Sequence, residues 1–283
     1  MRRTLLKTIA AATGLALGLT ATAVSAKTLL DKAKAGETIR IGFANEVPWA
    51  YPGDNNKPLG FVNAIAVDVL HKMGIKKIEP VVTEWGGLIP GLQANRFDLI
   101  TGGMYILKSR CENVAFSAPV AAVGDAFIVP KGNPKGIETY KDIKDKGATL
   151  VTGAGYNIIE VAKKEGISES HIMTVPGPTE ILAAVRAGRA DAGGVTYFTA
   201  KNLAEQSGGT VQVTDPSKLP AYTRNWAGIA FRKGDPAFLK AFNKALASYM
   251  GSPEMMKSVE QYGYDKSNIP AKDVTAKWVC EHR

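Results

Sequence analysis

Histidine and cysteine are scarce in this chain of 283 residues, which holds three His and two Cys. His71, His171 and His282 stand apart from one another and from any acidic cluster, so no metal site and no cofactor is expected. After the first residues no stretch approaches the roughly 20 apolar residues that a membrane span requires. The glycine-rich run Thr152-Gly-Ala-Gly-Tyr156 lacks the Lys and third Gly of a phosphate-cradling loop, which argues against a nucleotide site. A basic stripe is missing too, although the formal net charge is +9. Lys76-Lys77, Lys141, Lys144, Lys146 and Lys163-Lys164 sit beside Asp and Glu, as on solvated helix faces, so no nucleic-acid partner is expected.

What the chain does have begins with Arg2, Arg3 and Lys7, an apolar and small-residue run from Ile9 to Leu19, and Val24-Ser-Ala26. This pattern reads as a secretory signal peptide over residues 1–26, cut after Ala26 for export to the periplasm. No Cys follows the cut, so no lipid anchor is expected, and the mature chain of 257 residues carries a net charge of +6. In an oxidising compartment Cys111 and Cys280 form most simply one disulfide, with two buried thiols as the alternative.

Strand and helix patterns then alternate, predicting α/β with parallel pairing. Thr38 to Phe43 reads as a strand that enters the loop Ala44 to Tyr51, and Val62, Ile65, Val69, Leu70 and Met73 recur at helical spacing before Gly74. The stretch Thr83 to Arg110 reads as loop, helix, strand and loop, with the strand ending at Gly102-Gly103. It carries Trp85, Tyr105 and Arg110, and Arg is the side chain suited to gripping a carboxylate with two hydrogen bonds. A loop at the carboxyl end of such a strand is the usual ligand position.

The second half repeats the first. Leu92-Gln-Ala-Asn-Arg-Phe-Asp-Leu-Ile-Thr-Gly-Gly103 parallels Val185-Arg-Ala-Gly-Arg-Ala-Asp-Ala-Gly-Gly194. Two similar α/β lobes follow from this, sharing a cleft. Asp125–Lys131 and Trp226–Arg232 read as the crossings, which puts lobe 1 at 27–128 plus 228–283 and lobe 2 at 129–227. Two crossings also make a hinge.

The leader, Phe43-Ala-Asn-Glu-Val-Pro-Trp49, Trp85-Gly-Gly-Leu-Ile-Pro-Gly-Leu92, Arg96-Phe-Asp98 and Gly102-Gly-Met-Tyr-Ile-Leu-Lys-Ser-Arg110 resemble the amino-acid type of periplasmic solute-binding protein. The resemblance covers essentially the whole mature chain. It implies the two-lobed type II binding fold, a small-molecule ligand, the permease subunits of an ABC importer as partners, a monomer, and no enzymatic activity. It also implies that Arg110 holds the ligand carboxylate. The chain departs from the amino-acid pattern at Tyr105 and Leu107, where the family has Ser or Thr and then Thr. Thr196 stands where an Asp commonly grips an α-ammonium.

Glu46, Trp49, Trp85 and Tyr105 around Arg110 are instead similar to the ectoine/hydroxyectoine-binding subgroup. That likeness implies Glu46 on the ring N–H groups of an amidinium, Trp49, Trp85 and Tyr105 as an aromatic cage, and the Cys after Arg110 paired near the C-terminus. Aromatic faces stabilise a diffuse cation by about 0.5–2 kcal/mol each. From lobe 2, Gly155, Tyr156, Asn157 and Thr196 complete the candidate set, with Tyr156-Asn157 where the family tends to have small hydroxyl residues. The alternatives are a polar or cationic amino acid as ligand, or a periplasmic dehydratase of the same fold using Glu46 and Tyr105. Blander roles also exist: Trp85 and one of Trp49 and Tyr51 as packing, Glu46 as a surface acid, and Arg110 paired with Asp98 or Glu112.

Overall fold

The apolar runs assemble into two mixed sheets. A computed structural model describes residues 27–283, so the leader reading of residues 1–26 lies outside the described residues. The strands of the first part are β1 (Ile39–Phe43), β2 (Tyr51–Pro52), β3 (Pro58–Leu59), β4 (Ile78–Val82), β5 (Leu99–Tyr105), β6 (Ala115–Phe116) and β7 (Ala121–Val123). Then come β8 (Asp125–Pro130), β9 (Leu150–Gly153), β10 (Ile172–Val175), β11 (Ala192–Thr196), β12 (Val211–Val213) and β13 (Asn225–Phe231).

One sheet has the order β4-β1-β5-β13-β6, with β7 also on β13; the other runs β10-β9-β11-β8-β12. In each, three strands pair in parallel and a fourth joins antiparallel: β13 beside β5, and β8 beside β11. The expected parallel pairing holds for three strands of each sheet, and the antiparallel strand is an addition to it. Each presumed crossing segment is itself that antiparallel strand and lies wholly within one sheet. The chain changes sheets at Gly124, between β7 and β8, and again between β12 and β13. Boundaries at 128/129 and 227/228 thus cut through strands, where ladder hydrogen bonds hold the backbone to its own sheet.

The internal repeat has a structural meaning. Asp98 Oδ2 accepts from the Arg40 N–H at 2.9 Å while Asp98 N–H donates to the Arg40 carbonyl at 2.8 Å. Asp191 Oδ2 does the same for the Thr149 N–H at 2.9 Å, and its own N–H reaches the Thr149 carbonyl at 2.8 Å. Each Asp ties the start of one strand to the approach of its neighbour. Asp98 also pairs with Lys32, Arg40 and Arg232, which leaves it no part in holding Arg110.

A second correction concerns β5, which runs through Gly102 and Gly103 instead of stopping there. Gly103 adopts φ +76°, and a Cβ on it would lie 2.3 Å from the Trp49 ring. Glycine serves here for close approach and not for termination. Asp235 precedes the helix Pro236–Tyr249 without capping it through its side chain, which accepts instead from Leu29 N–H and Arg232 Nε. The helix Phe61–Lys72 carries the periodic residues Val62, Ile65, Val69 and Leu70, and with Asn157–Lys164 and Pro178–Arg186 it packs its apolar face on the sheets.

Cys111 and Cys280 are bonded, with Cα atoms 5.9 Å apart and a sequence separation of 169. The bond staples the C-terminal helix Ala276–His282 to the short helix Lys108–Cys111, next to Arg110. Replacing both cysteines by Ser is expected to lower unfolding free energy by about 2–5 kcal/mol, read by denaturant titration. An unchanged midpoint contradicts a stabilising role.

Candidate functional site

The loop after β1 is folded back on itself. Glu46 and Ala50 exchange both backbone hydrogen bonds, at 2.9 and 3.0 Å. The first free N–H groups of the helix Phe61–Lys72, those of Phe61 and Val62, donate to the carbonyls of Pro48 and Trp49, each at 3.0 Å. Backbone geometry thereby aims Glu46 and Trp49 into the cleft between the sheets. Both are buried, at 4% and 2% exposure.

A single cavity is lined by Glu46, Trp49, Trp85, Gly102, Gly103, Tyr105, Arg110, Tyr156, Asn157 and Thr196. Every candidate side chain read from the sequence meets there. Gly155 contributes from its edge: its carbonyl accepts from Trp85 Nε1 at 3.2 Å and from an Arg110 guanidinium nitrogen at 3.0 Å. The cavity volume is about 20 Å³, room for roughly one water molecule. The two sides of the cleft touch across it through Trp49–Thr196, Tyr156–Glu46 and Thr199–Glu46.

Arg110 is 8% exposed, and its hydrogen bonds go to the carbonyls of Tyr105 and Gly155. Its guanidinium also lies 5.6 Å from the centre of the Trp85 ring. None of the ion pairs among the described residues includes it, and its direct hydrogen-bond partners are neutral carbonyls. Burial lowers its pKa from 12.5 to about 10.

Glu46 is its counterpart. Tyr156 donates to Glu46 Oε2 and Thr199 to Glu46 Oε1, each at 2.7 Å. Burial raises the carboxyl pKa, opposed by these two hydroxyls and by the field of Arg110. The direction of the Thr199 bond fixes a relay. Trp49 Nε1 can only donate, and does so to Thr196 Oγ1 at 2.8 Å. Thr196 and Thr199 hydroxyls lie 2.9 Å apart, and the Thr199 proton is already on Glu46. Thr196 must then donate to Thr199, and each bond in the chain polarises the next.

The aromatics divide their duties. Trp49 packs on Phe61 at 4.8 Å and edge-on to Tyr105 and Phe198, both at 5.9 Å, so one side belongs to the core. Tyr51 pairs with Tyr262 and stays outside the cavity. The Tyr105 ring lines the cavity, while its hydroxyl donates to the Val123 carbonyl at 3.2 Å. Trp85 meets the Tyr156 ring edge-on at 5.4 Å.

Two participants escaped the sequence reading. Thr199 sits three residues beyond the helix cap Thr196, a Thr-x-x-Thr signal that marks both as facing one way. Asp125 opens the apolar strand β8 and is fully buried beneath Asn157, whose Nδ2 donates to its Oδ2 at 2.9 Å. Its other oxygen has no partner. A lone charge at the head of an apolar strand was the available signal.

Residues 39–265 match the family of bacterial extracellular solute-binding proteins, family 3. The chain belongs to that family. A probable amino-acid ABC transporter periplasmic-binding protein of Sinorhizobium fredii (strain NBRC 101917 / NGR234) is 35% identical over 278 residues, 96% of this chain and 92% of that one. The L-cystine-binding protein TcyJ of Escherichia coli (strain K12) is 28% identical over 238 residues, covering 83% and 86%. The crystal structure of EhuB in complex with hydroxyectoine is 30% identical, with a TM-score of 0.82 over 90% of this chain and 98% of that chain. This solute-binding protein has the type II periplasmic binding fold, and it is the solute-binding component of an amino-acid-type ABC importer. A small-molecule ligand and membrane permease subunits are its partners by that membership.

Burial raises the Asp125 carboxyl from 3.8 to about 8, against the opposing Asn157 hydrogen bond and the field of Arg110. The folded chain then holds a proton here that the unfolded chain releases between those two values, so this contribution to stability is full below the lower value. It is lost as pH rises through about 8. Glu46 is raised in the same direction. The melting temperature of the wild type should fall more steeply than that of Asp125→Asn across this window, and parallel curves would contradict it.

Proposed function

We propose that this solute-binding protein works in the periplasm as a monomer, after loss of residues 1–26, and captures a compact zwitterion of the ectoine or hydroxyectoine kind. The observation that carries this reading is the pair of opposite charges, Glu46 and Arg110, buried in one cleft without an ion pair between them. A buried unpaired charge is costly, so each favours a ligand group of opposite sign. Arg110, already bound to two carbonyls, offers its remaining N–H donors to a carboxylate. Glu46 accepts one hydroxyl on each oxygen and keeps about two of its four lone-pair sites for N–H donors.

The rings of Trp49, Trp85 and Tyr105 favour a diffuse cation over a compact, strongly hydrated ammonium. Thr196 spends its oxygen on Trp49 and Thr199, and Asp191 is held by Lys135 and the Thr149 N–H, so neither acts as an ammonium-binding acid. Lobes of 27–123 plus 225–283 and of 125–224 would part at Gly124 and close on the ligand.

A polar or cationic amino acid is the second reading, favoured by the amino-acid and cystine binders among the relatives. A dehydratase has less support, because the Tyr105 hydroxyl is turned onto the Val123 carbonyl and away from acid–base work.

A thermal-shift screen of ectoine and hydroxyectoine beside the common amino acids separates the readings. At a hundredfold excess over Kd the true ligand adds about 2.7 kcal/mol of stability. Arg110→Lys and Glu46→Gln should each weaken that ligand about tenfold or more in calorimetry, about 1.4 kcal/mol. Unchanged affinity in both would make the charges structural, and stabilisation by an amino acid alone would favour the second reading.

A further inference from the structure

The cleft holds four aromatic side chains, and three of them, Trp49, Trp85 and Tyr105, come from the segment that builds the first sheet. Tyr156 is the one that the second sheet contributes. Its placement is over-determined. The residue follows β9, is 6% exposed, and lays its ring over Gly153 so closely that a Cβ there would lie 2.5 Å from ring carbon. Gly153 has no left-handed backbone angle, so the absent side chain is a matter of space and not of conformation. The ring centre lies 5.4 Å from that of Trp85 in an edge-to-face arrangement, and the hydroxyl reaches across the cleft to Glu46 at 2.7 Å.

From this geometry we infer that Tyr156 is the specificity-determining residue of the second lobe, limiting the cleft to compact ligands. The inference rests on the zwitterion-site reading and deepens it. With Tyr156 in place the cavity measures about 20 Å³, and the ring stands between Trp85 and the acid that would take the ligand cation. On closure the ring returns with the second lobe as a wall. With Thr199 on the other oxygen, its hydroxyl leaves about two acceptor sites of Glu46 to ligand N–H groups. A ligand too long to fit between Arg110 and that wall holds the lobes apart, so the Glu46 contacts of Tyr156 and Thr199 do not form. A small residue at 156 removes the wall. A side chain at 153 pushes it inward.

The test is a double-mutant cycle on the full-length mature protein. Ectoine, L-arginine and L-cystine are titrated calorimetrically, and the tightest of them is the probe. Gly153→Ala is expected to weaken the probe about tenfold when Tyr156 is present and less than about threefold beside Tyr156→Ser, where the methyl meets space. Tyr156→Ser alone should lower the ratio of the arginine Kd to the ectoine Kd by about tenfold. Tyr156→Phe keeps the ring, so it should leave that ratio within about threefold and preserve the Gly153→Ala penalty, which keeps the inference testable if the Ser variant folds poorly. Additive effects of Gly153→Ala and the Tyr156 changes, with an unchanged ratio, would overturn the inference. If Arg110→Lys also binds the probe unchanged, the site reading itself has failed; if it binds weakly, only the role of Tyr156 has.

Discussion

Two buried charges of opposite sign that do not neutralise each other set the terms for the rest of this molecule. Glu46 and Arg110 share one cavity, yet each is met by neutral groups: two hydroxyls on the acid, two carbonyls on the guanidinium. Direct pairing would satisfy both and leave nothing for a ligand. Keeping them apart is therefore the work of the surrounding backbone. The pinched turn Glu46 to Ala50 aims one, and the disulfide-stapled helix Lys108–Cys111 aims the other.

The same contacts join the two halves of the molecule. Tyr156, Thr196, Thr199 and Gly155 belong to the segment between the two sheet crossings, and their partners Glu46, Trp49, Trp85 and Arg110 lie outside it. In the proposed closing motion, closure and recognition would be one event, because the cross-cleft hydrogen bonds complete the Glu46 environment. The antiparallel strands β8 and β13 are each paired only within their own sheet, so the chain passes between the sheets at Gly124 and over residues 214–224.

Much of this was legible in the sequence because it rests on local pattern. Apolar periodicity placed the helices, the repeated Arg-x-Asp segments announced two lobes, and the aromatic and charged residues beside glycines marked the cleft. What was not legible depends on pairing across long separations. The Glu46 partners Tyr156 and Thr199 lie 110 and 153 residues away, and no local pattern links them. Asp125 was hidden for a different reason: a carboxyl at the start of a strand reads as a surface residue until the fold buries it. Gly103 was seen but misread, because glycine ends strands as readily as it admits a ring, and only the position of Trp49 decides between them.

The claim that opposed, unpaired charges select a zwitterion is tested most directly by altering the ligand and leaving the protein intact. Calorimetric titration should compare the best-binding zwitterion with its methyl ester, which lacks the carboxylate, and with an N-acylated analogue, which lacks the cation. The account predicts that each loses at least about a hundredfold in affinity, because each strands one buried charge. An ester or an acyl analogue that binds as well as its parent would show that only one of Glu46 and Arg110 reads the ligand, and would contradict the account.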